Sequence, residues 1–237
     1  MEPSPRLLVY VKPKHSRFLN MSPFCGKSEY LFKLAGVSVD IEIFKGNPKS
    51  LPKEKLPVLK IGSEVIADSW FIQEYVKKNL APDLDSSLSE LQKAESWNLT
   101  RMTEEYLYWA IVRERWLIDK NWNRLVPAYF ASVPALIRGP LSAVIRSSVK
   151  KAAWGQGLSR HSHEEVLALS RMCLNALSQS LGNKKFFMGD HPSTVDTTMA
   201  AFISNLIHCD LNPELTEITK SYSNLMDYDE RIHQLWH

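Results

Sequence analysis

Apolar and polar residues in the first eighty positions follow two different periods. Apolar runs rich in β-branched residues predict strands in three blocks, RLLVYV (6–11), VSVDIEIF (37–44) and LPVLKIGSEVIA (56–67), the last of which contains two strands around a turn. Apolar residues three and four apart predict helices over 23–36 and 68–80. The order of elements is therefore βαβ, a Pro- and Lys-rich connector over 45–55, and ββα.

Beyond a linker over 81–87, the pattern is helical throughout. It predicts helices over 88–111, 134–151, 163–181, 192–207 and the amphipathic end of the chain, NLMDYDERIHQLW. Two of these helices begin with capping boxes, SHEE (162–165) and STVD (193–196), and Asp196 is accordingly predicted to be a structural acid. We predict two domains, an α/β domain over 1–85 and an all-helical domain over 86–237.

Composition and charge are those of an ordinary soluble protein. Of the 237 residues 44% are hydrophobic and 23% are charged, and the net charge of +3 is too small to indicate nucleic-acid binding. Cys25, Cys173 and Cys209 are spaced neither for a disulfide framework nor for a metal site, which indicates a reducing compartment. The sequence shows no signal peptide or membrane span. We therefore expect a cytoplasmic protein without a metal, a nucleic-acid partner or a membrane span.

The mild net charge conceals an uneven distribution. The window 120–163 contains no Asp or Glu and carries seven basic residues, Lys120, Arg124, Arg138, Arg146, Lys150, Lys151 and Arg160. A solvated helix face is the simplest explanation, and the alternatives are a pocket for an anionic co-substrate and peripheral contact with acidic lipid headgroups. The nearby aromatic residues would line an apolar acceptor site or belong to the core; they are Trp116, Trp122, Tyr129, Phe130 and Trp154.

Three short stretches of the α/β domain carry candidate chemistry. SPFC (22–25) opens the first predicted helix, LPV (56–58) leads into the third strand, and DS (68–69) opens the second helix. With the element order, these stretches resemble the glutathione transferase superfamily, which joins a thioredoxin-like domain to a helical domain. GQGLSRHSHEEVLAL (155–169) and FFMGDHPSTVDTTMAAFI (186–203) resemble its failed-axon-connections and metaxin-like branch.

The resemblance implies a fold, a ligand and site residues. The expected protein is a homodimer that binds glutathione as co-substrate and uses its thiol on a small, apolar electrophile. Ser22 is implied to stabilise the thiolate, and Leu56, followed by a cis Pro57, to pair with the peptide through its backbone. Asp68 and Ser69 are implied to hold the γ-glutamyl end of glutathione.

Each of these residues also has a simpler interpretation. Ser22 is a good N-cap, although the other motifs favour contact with the thiol, and for Asp68 and Ser69 capping and binding are equally supported. Cys25 lacks the second cysteine of a dithiol site, so a buried core residue is favoured over a reactive or glutathionylated thiol. Tyr10, in the middle of the first strand, is favoured as a core residue over a tyrosine-type activator.

Two classes of function stay open at this stage. The intact motifs favour an enzyme, whereas the metaxin-like branch includes proteins that serve transport and assembly, so the alternative is a non-catalytic interaction module. The connector over 45–55 lacks an obvious helix whose polar groups face the glycyl carboxylate of glutathione. Lys53 or Lys55 is the candidate to supply that contact.

Overall fold

A four-stranded mixed sheet forms the centre of the first half of the chain. The computed structural model describes residues 4–11, 17–131 and 133–236. In this part of the chain the strands are β1 (Arg6–Val9), β2 (Asp40–Ile43), β3 (Val58–Ile61) and β4 (Glu64–Ala67), in the order β2-β1-β3-β4. β1 and β2 are parallel, whereas β1 with β3 and β3 with β4 are antiparallel. Every strand lies inside a predicted block, which confirms the α/β character of this half.

Two helices complete the first half. α1 (Pro23–Ala35) has proline at its first position, as predicted, and ends at Gly36. Gly36 has a φ of 64°, a left-handed conformation that a glycine adopts without steric cost. α2 (Ser69–Asn79) begins directly after Asp68. Between β2 and β3 the connector contains two single 3₁₀ turns and no longer helix.

The second half consists of helices in its described residues. They are α3 (Glu90–Met102), α4 (Tyr108–Val112), α5 (Asp119–Tyr129), α6 (Ala135–Gln156), α7 (His163–Leu181), α8 (Thr194–His208), α9 (Pro213–Lys220) and α10 (Ser223–Trp236). Both predicted capping boxes are present: Glu165 and Asp196 accept hydrogen bonds from the amides of Ser162 and Ser193. The all-helical prediction for this half is confirmed.

The helix predictions need three corrections. α5 and α9 were not predicted, because α5 contains Pro127, which argues against a helix, and α9 has just eight residues. The single helix predicted over 88–111 contains a π-helical turn, Thr103–Leu107, and a second such turn, Arg113–Leu117, extends α4. The helix predicted over 134–151 continues to Gln156.

α1 is held by hydrophobic clusters in both halves. Leu31 and Phe32 pack with residues of the sheet and α2. Tyr30, on another side of α1, packs in the cluster that contains Met199 and Phe202 of α8. The helix that follows the first candidate motif is therefore fixed from two directions.

Candidate functional site

The three sequence motifs meet at one edge of the sheet. Because β1, β3 and β4 pair antiparallel in turn, the end of β1, the start of β3 and the end of β4 lie side by side. The Met21 amide donates a 3.3 Å hydrogen bond to the Val11 carbonyl, which brings the start of α1 to the same edge. The Asp68 amide donates a 3.3 Å hydrogen bond to the Pro57 carbonyl, which joins the second and third motifs directly.

The Ser22 side chain precedes α1 without capping it. Its backbone is extended, and its carbonyl accepts the first helical hydrogen bond from the Gly26 amide at 3.0 Å, but its hydroxyl makes no capping hydrogen bond. The half-buried hydroxyl lies beside the Cys25 thiol instead. Since the first turn of α1 contains no acidic residue, the helix dipole and the first amides favour an anion here.

The backbone of Leu56, just before β3, lies outside the sheet. The peptide bond between Leu56 and Pro57 is cis, as the resemblance implies. Sheet pairing starts at Val58, so the N–H and carbonyl of Leu56 lie outside the ladder, while its side chain is buried in the core. A backbone in this position has the groups that an extended peptide needs for pairing.

Asp68 has a strained backbone and caps α2. Its φ of 87° is one that aspartate rarely adopts, and such strain is typical of ligand sites and switch regions. Its Oδ1 accepts a 2.9 Å hydrogen bond from the Trp70 amide, and the buried Ser69 is the first residue of α2. Capping uses Oδ1 alone, so the same side chain can cap α2 and present Oδ2 to a ligand.

Lys53 is brought to this edge by the connector. Its ammonium donates a 3.2 Å hydrogen bond to the Ala67 carbonyl and lies 3.8 Å from the centre of the Phe71 ring. Its φ of 60° is again left-handed. Of the two candidate lysines, Lys53 and Lys55, Lys53 is the one whose ammonium binds the carbonyl of Ala67, next to Asp68.

Side chains from the second half hold the segment that leads into α1. The Met21 carbonyl accepts hydrogen bonds from Arg115 Nη1 and the Tyr129 hydroxyl, each at 3.1 Å. Asn205 donates a 2.9 Å hydrogen bond to the Asn20 carbonyl and accepts one of 3.0 Å from Arg115. Sequence reasoning missed Arg115 and Asn205, because neither belongs to a local motif.

Comparison with known proteins assigns the family. The family models for the glutathione S-transferase N-terminal and C-terminal domains match residues 23–122 and 170–232. The isoprene-epoxide–glutathione S-transferase of Rhodococcus sp. (strain AD45) is 34% identical over 188 residues, which cover 76% of this chain and 77% of that protein. The chain belongs to the glutathione S-transferase superfamily.

Other likenesses confirm the fold and the metaxin-like branch of the superfamily. Human Metaxin-2 is 27% identical over 77% of this chain and 70% of its own length. Failed axon connections of Drosophila melanogaster is 27% identical over 90% of this chain and 54% of its own length. The crystal structure of the glutathione transferase GSTFuA3 from Phanerochaete chrysosporium has a TM-score of 0.66 at 14% identity and covers 100% of this chain and 98% of that one.

Cys25 is a core residue of this glutathione transferase fold. Its side chain has no exposed surface, and burial raises the pKa of the thiol to about 12. Hydrogen bonds with the Tyr10 backbone and the Ser22 hydroxyl lower this pKa, but by less than burial raises it. The thiolate is the reactive form, so a thiol with this pKa is inert near neutral pH. Burial likewise raises the pKa of Tyr10 to about 12, which keeps its phenol protonated.

We expect Cys25 to resist alkylation in the folded protein. A folded pKa of about 12 leaves almost no thiolate at about pH 8, whereas unfolding returns the thiol towards its ordinary pKa near 8.5. Mass spectrometry after iodoacetamide treatment should find Cys25 unmodified in buffer and fully modified in urea. Cys173 is also buried, so it is the internal control for a thiol protected by the fold. Rapid labelling of Cys25 in the folded protein while Cys173 stays unmodified would contradict this assignment.

Asp196 is structural, as the capping pattern predicts. Its carboxylate accepts hydrogen bonds from the Phe187 amide at 3.0 Å, the Ser193 amide at 2.9 Å and the Tyr228 hydroxyl at 3.1 Å. All four side chains are buried. This network closes the start of α8 and lies outside the candidate site.

Most of the aromatic residues in or near the window 120–163 belong to a core cluster. Trp116 lies 5.5 Å from Trp122 and 5.9 Å from Tyr129 between ring centres, and Phe130 completes the group. The cluster also contains Met21. Of the two alternatives for these side chains, the structure supports the core. Trp154 differs, because it is exposed on α6.

Proposed function

We propose that this chain is a glutathione transferase that binds glutathione at the edge formed by Ser22, Leu56, Pro57, Asp68 and Ser69. The observation that carries the proposal is the convergence of the three motifs there, with a serine hydroxyl at a helix start that it does not cap. Membership of the superfamily supports the proposal. So does the 34% identity to a protein named for joining an epoxide to glutathione.

The charged ends of glutathione have partners at this edge. The Asp68 carboxylate would meet the α-ammonium of the γ-glutamyl group, and Ser69 with the first amides of α2 would meet its carboxylate. The backbone of Leu56 would pair with the cysteinyl residue in the manner of an added strand. Lys55, which precedes Leu56, would supply the cation for the glycyl carboxylate, because Lys53 lies at the Asp68 end of the site.

Ser22 would act on the sulfur. A hydroxyl that donates a hydrogen bond to the thiolate, at the positive end of α1, lowers the pKa of the glutathione thiol and keeps it nucleophilic near neutrality. We infer a small apolar electrophile, and an epoxide of the isoprene type is the first to test. The thiolate sulfur forms a C–S bond to a ring carbon, the C–O bond of the epoxide breaks, and the resulting alkoxide takes a proton from water.

We expect glutathione to bind and to raise the melting temperature. Ligand binding to the folded state adds about 2.7 kcal/mol of stability at a hundred times the dissociation constant. Titration calorimetry and thermal unfolding at up to roughly 10 mM glutathione measure both effects. Asp68→Asn keeps the capping oxygen and removes the charge, so it should weaken binding about tenfold, whereas Glu64→Gln, an exposed change on the same hairpin, should not. Absence of heat and of a thermal shift rejects the proposal.

The second candidate is a non-catalytic interaction module. The 27% identity to Metaxin-2 over most of the chain is the observation that favours it. The two candidates predict different outcomes for calorimetry with glutathione and for turnover of an epoxide. A folded chain that binds no glutathione, and conjugates none, supports the interaction module.

A further inference from the structure

The outward face of α6 carries an apolar patch. Leu136 is 91% exposed, Val144 66% and Ile137 52%, and Leu141 adds to the same face. The other three side chains follow Leu136 by one, five and eight positions, which places all four on one side of the helix. α6 holds five of the twelve large apolar side chains that are exposed in the described residues, so this is a concentration and not the usual scatter.

The charges around the patch are positive. Lys150 and Lys151 follow the patch on α6 and are exposed, and the window 120–163 contains no carboxylate side chain. The acid that precedes the window, Asp119, is bound to Arg146 at 2.6 Å. An exposed Trp154 follows the two lysines by one turn. Apolar side chains, lysines and a tryptophan on one exposed helix are the composition of an interfacial helix.

A cavity opens beside the same helix. It has a volume of about 430 Å³ and lies between α5 and α6, where Trp122, Ser142, Arg146 and Lys150 contribute to its walls. The Arg146 guanidinium also donates to the Trp116 carbonyl at 2.7 Å and lies 4.9 Å from the centre of the Trp122 ring, so its charge is held at this wall. The groove next to the patch is therefore cationic and has room for an anionic headgroup.

We propose that α6 docks on the surface of an anionic lipid bilayer, with Leu136, Ile137 and Val144 among the acyl chains and Lys150 and Lys151 at the headgroup phosphates. The proposed contact is interfacial. None of the helices in the described residues has the length and hydropathy of a membrane span. Charge selects this occupant. A second copy packed on the patch by two-fold symmetry would bring the acid-free window against itself, whereas an anionic bilayer complements it.

Vesicle sedimentation tests the proposal with the full chain. We expect the protein to sediment with vesicles of phosphatidylcholine and phosphatidylserine, to stay in solution with phosphatidylcholine alone, and to be released by high salt. Leu136→Ser with Val144→Ser, and separately Lys150→Glu with Lys151→Glu, should each lower the partition coefficient about tenfold or more. All four side chains are exposed, so the variants should keep the melting temperature of the parent protein.

Matched controls separate this surface from general effects. Met172→Ser removes an exposed apolar side chain elsewhere, and Lys78→Glu with Lys220→Glu makes the same change in net charge elsewhere. Both controls should sediment like the parent protein. Failure to bind anionic vesicles, equal binding to neutral ones, or equal loss in the controls overturns the proposal. If the α6 variants instead turn a dimer into a monomer by light scattering, and vesicles are not bound, a second copy covers the patch and the proposal is wrong.

Discussion

Replacing Ser22 with alanine is expected to lower the rate of glutathione conjugation about ten- to a hundredfold, because one charge-assisted hydrogen bond to the thiolate is lost. The pKa of the bound glutathione thiol should rise. The affinity for glutathione should change less, since Leu56, Asp68 and Ser69 would, as proposed, still hold the rest of the peptide. The Ser22 hydroxyl makes no capping hydrogen bond, so stability should fall by less than the ~1 kcal/mol of a typical N-cap.

Thiolate absorbance of the glutathione complex against pH is the decisive measurement for Ser22. Ser28→Ala is the matched control, because it removes another hydroxyl of α1, one that is bound to the Phe24 carbonyl at 3.3 Å. The control should titrate like the parent protein. Superimposable titrations of Ser22→Ala and the parent protein would show that this hydroxyl does not act on the sulfur.

Replacing Glu104 with glutamine is expected to destabilise the fold by about 3–5 kcal/mol, because it leaves a buried ammonium without its partner. Lys27 of α1 donates a 2.8 Å hydrogen bond to Glu104, and the exposed fractions of the two side chains are 1% and 4%. Arg101 also binds Glu104, but it is partly exposed and can turn to water. Urea unfolding measures the loss of free energy, and the melting temperature should fall by about 10 °C.

The double variant Lys27→Met with Glu104→Gln is the control for this ion pair. It removes the buried charge together with its partner, so it should be more stable than Glu104→Gln alone. Lys93→Met, which breaks an exposed ion pair with Glu90, should lower the free energy of unfolding far less than Glu104→Gln does. A double variant that is as unstable as Glu104→Gln alone would mean that lost packing, not the unpaired charge, dominates.

Local chemistry made much of the fold predictable. The proline after Ser22, the glycine at position 36 and the two capping boxes act within one helical turn, and each marks the element that the structure has. The strands are predictable for the same reason, because the pattern of apolar and β-branched residues that marks a strand is also local. The order of these elements predicts an α/β half followed by a helical half. The resemblance implies the glutathione transferase fold, and the family and structural matches confirm it.

Long-range contacts could not be predicted from the same signals. α5 was missed because Pro127 lies inside it, and packing of Leu125 and Phe130 in a core cluster overrides the local preference. α9 does have a local start signal, because Asn212 at the N-cap is followed by Pro213 at the first helical position. Arg115 carries none, because its partners Met21 and Asn205 lie about ninety residues away in each direction.

The hydrogen bonds to Met21 bear on how members of this family can be recombined. Ser22 belongs to the first half, yet the carbonyl just before it is bound by Arg115 and Tyr129 of the second half. A chimaera that joins residues 1–85 to the helical half of a relative would carry the serine without these two donors, unless the relative has equivalents. The buried carbonyl would then lack partners, and the loop would settle elsewhere. The geometry at Ser22 therefore depends on both halves of the chain, and transferring the first half alone does not reproduce it.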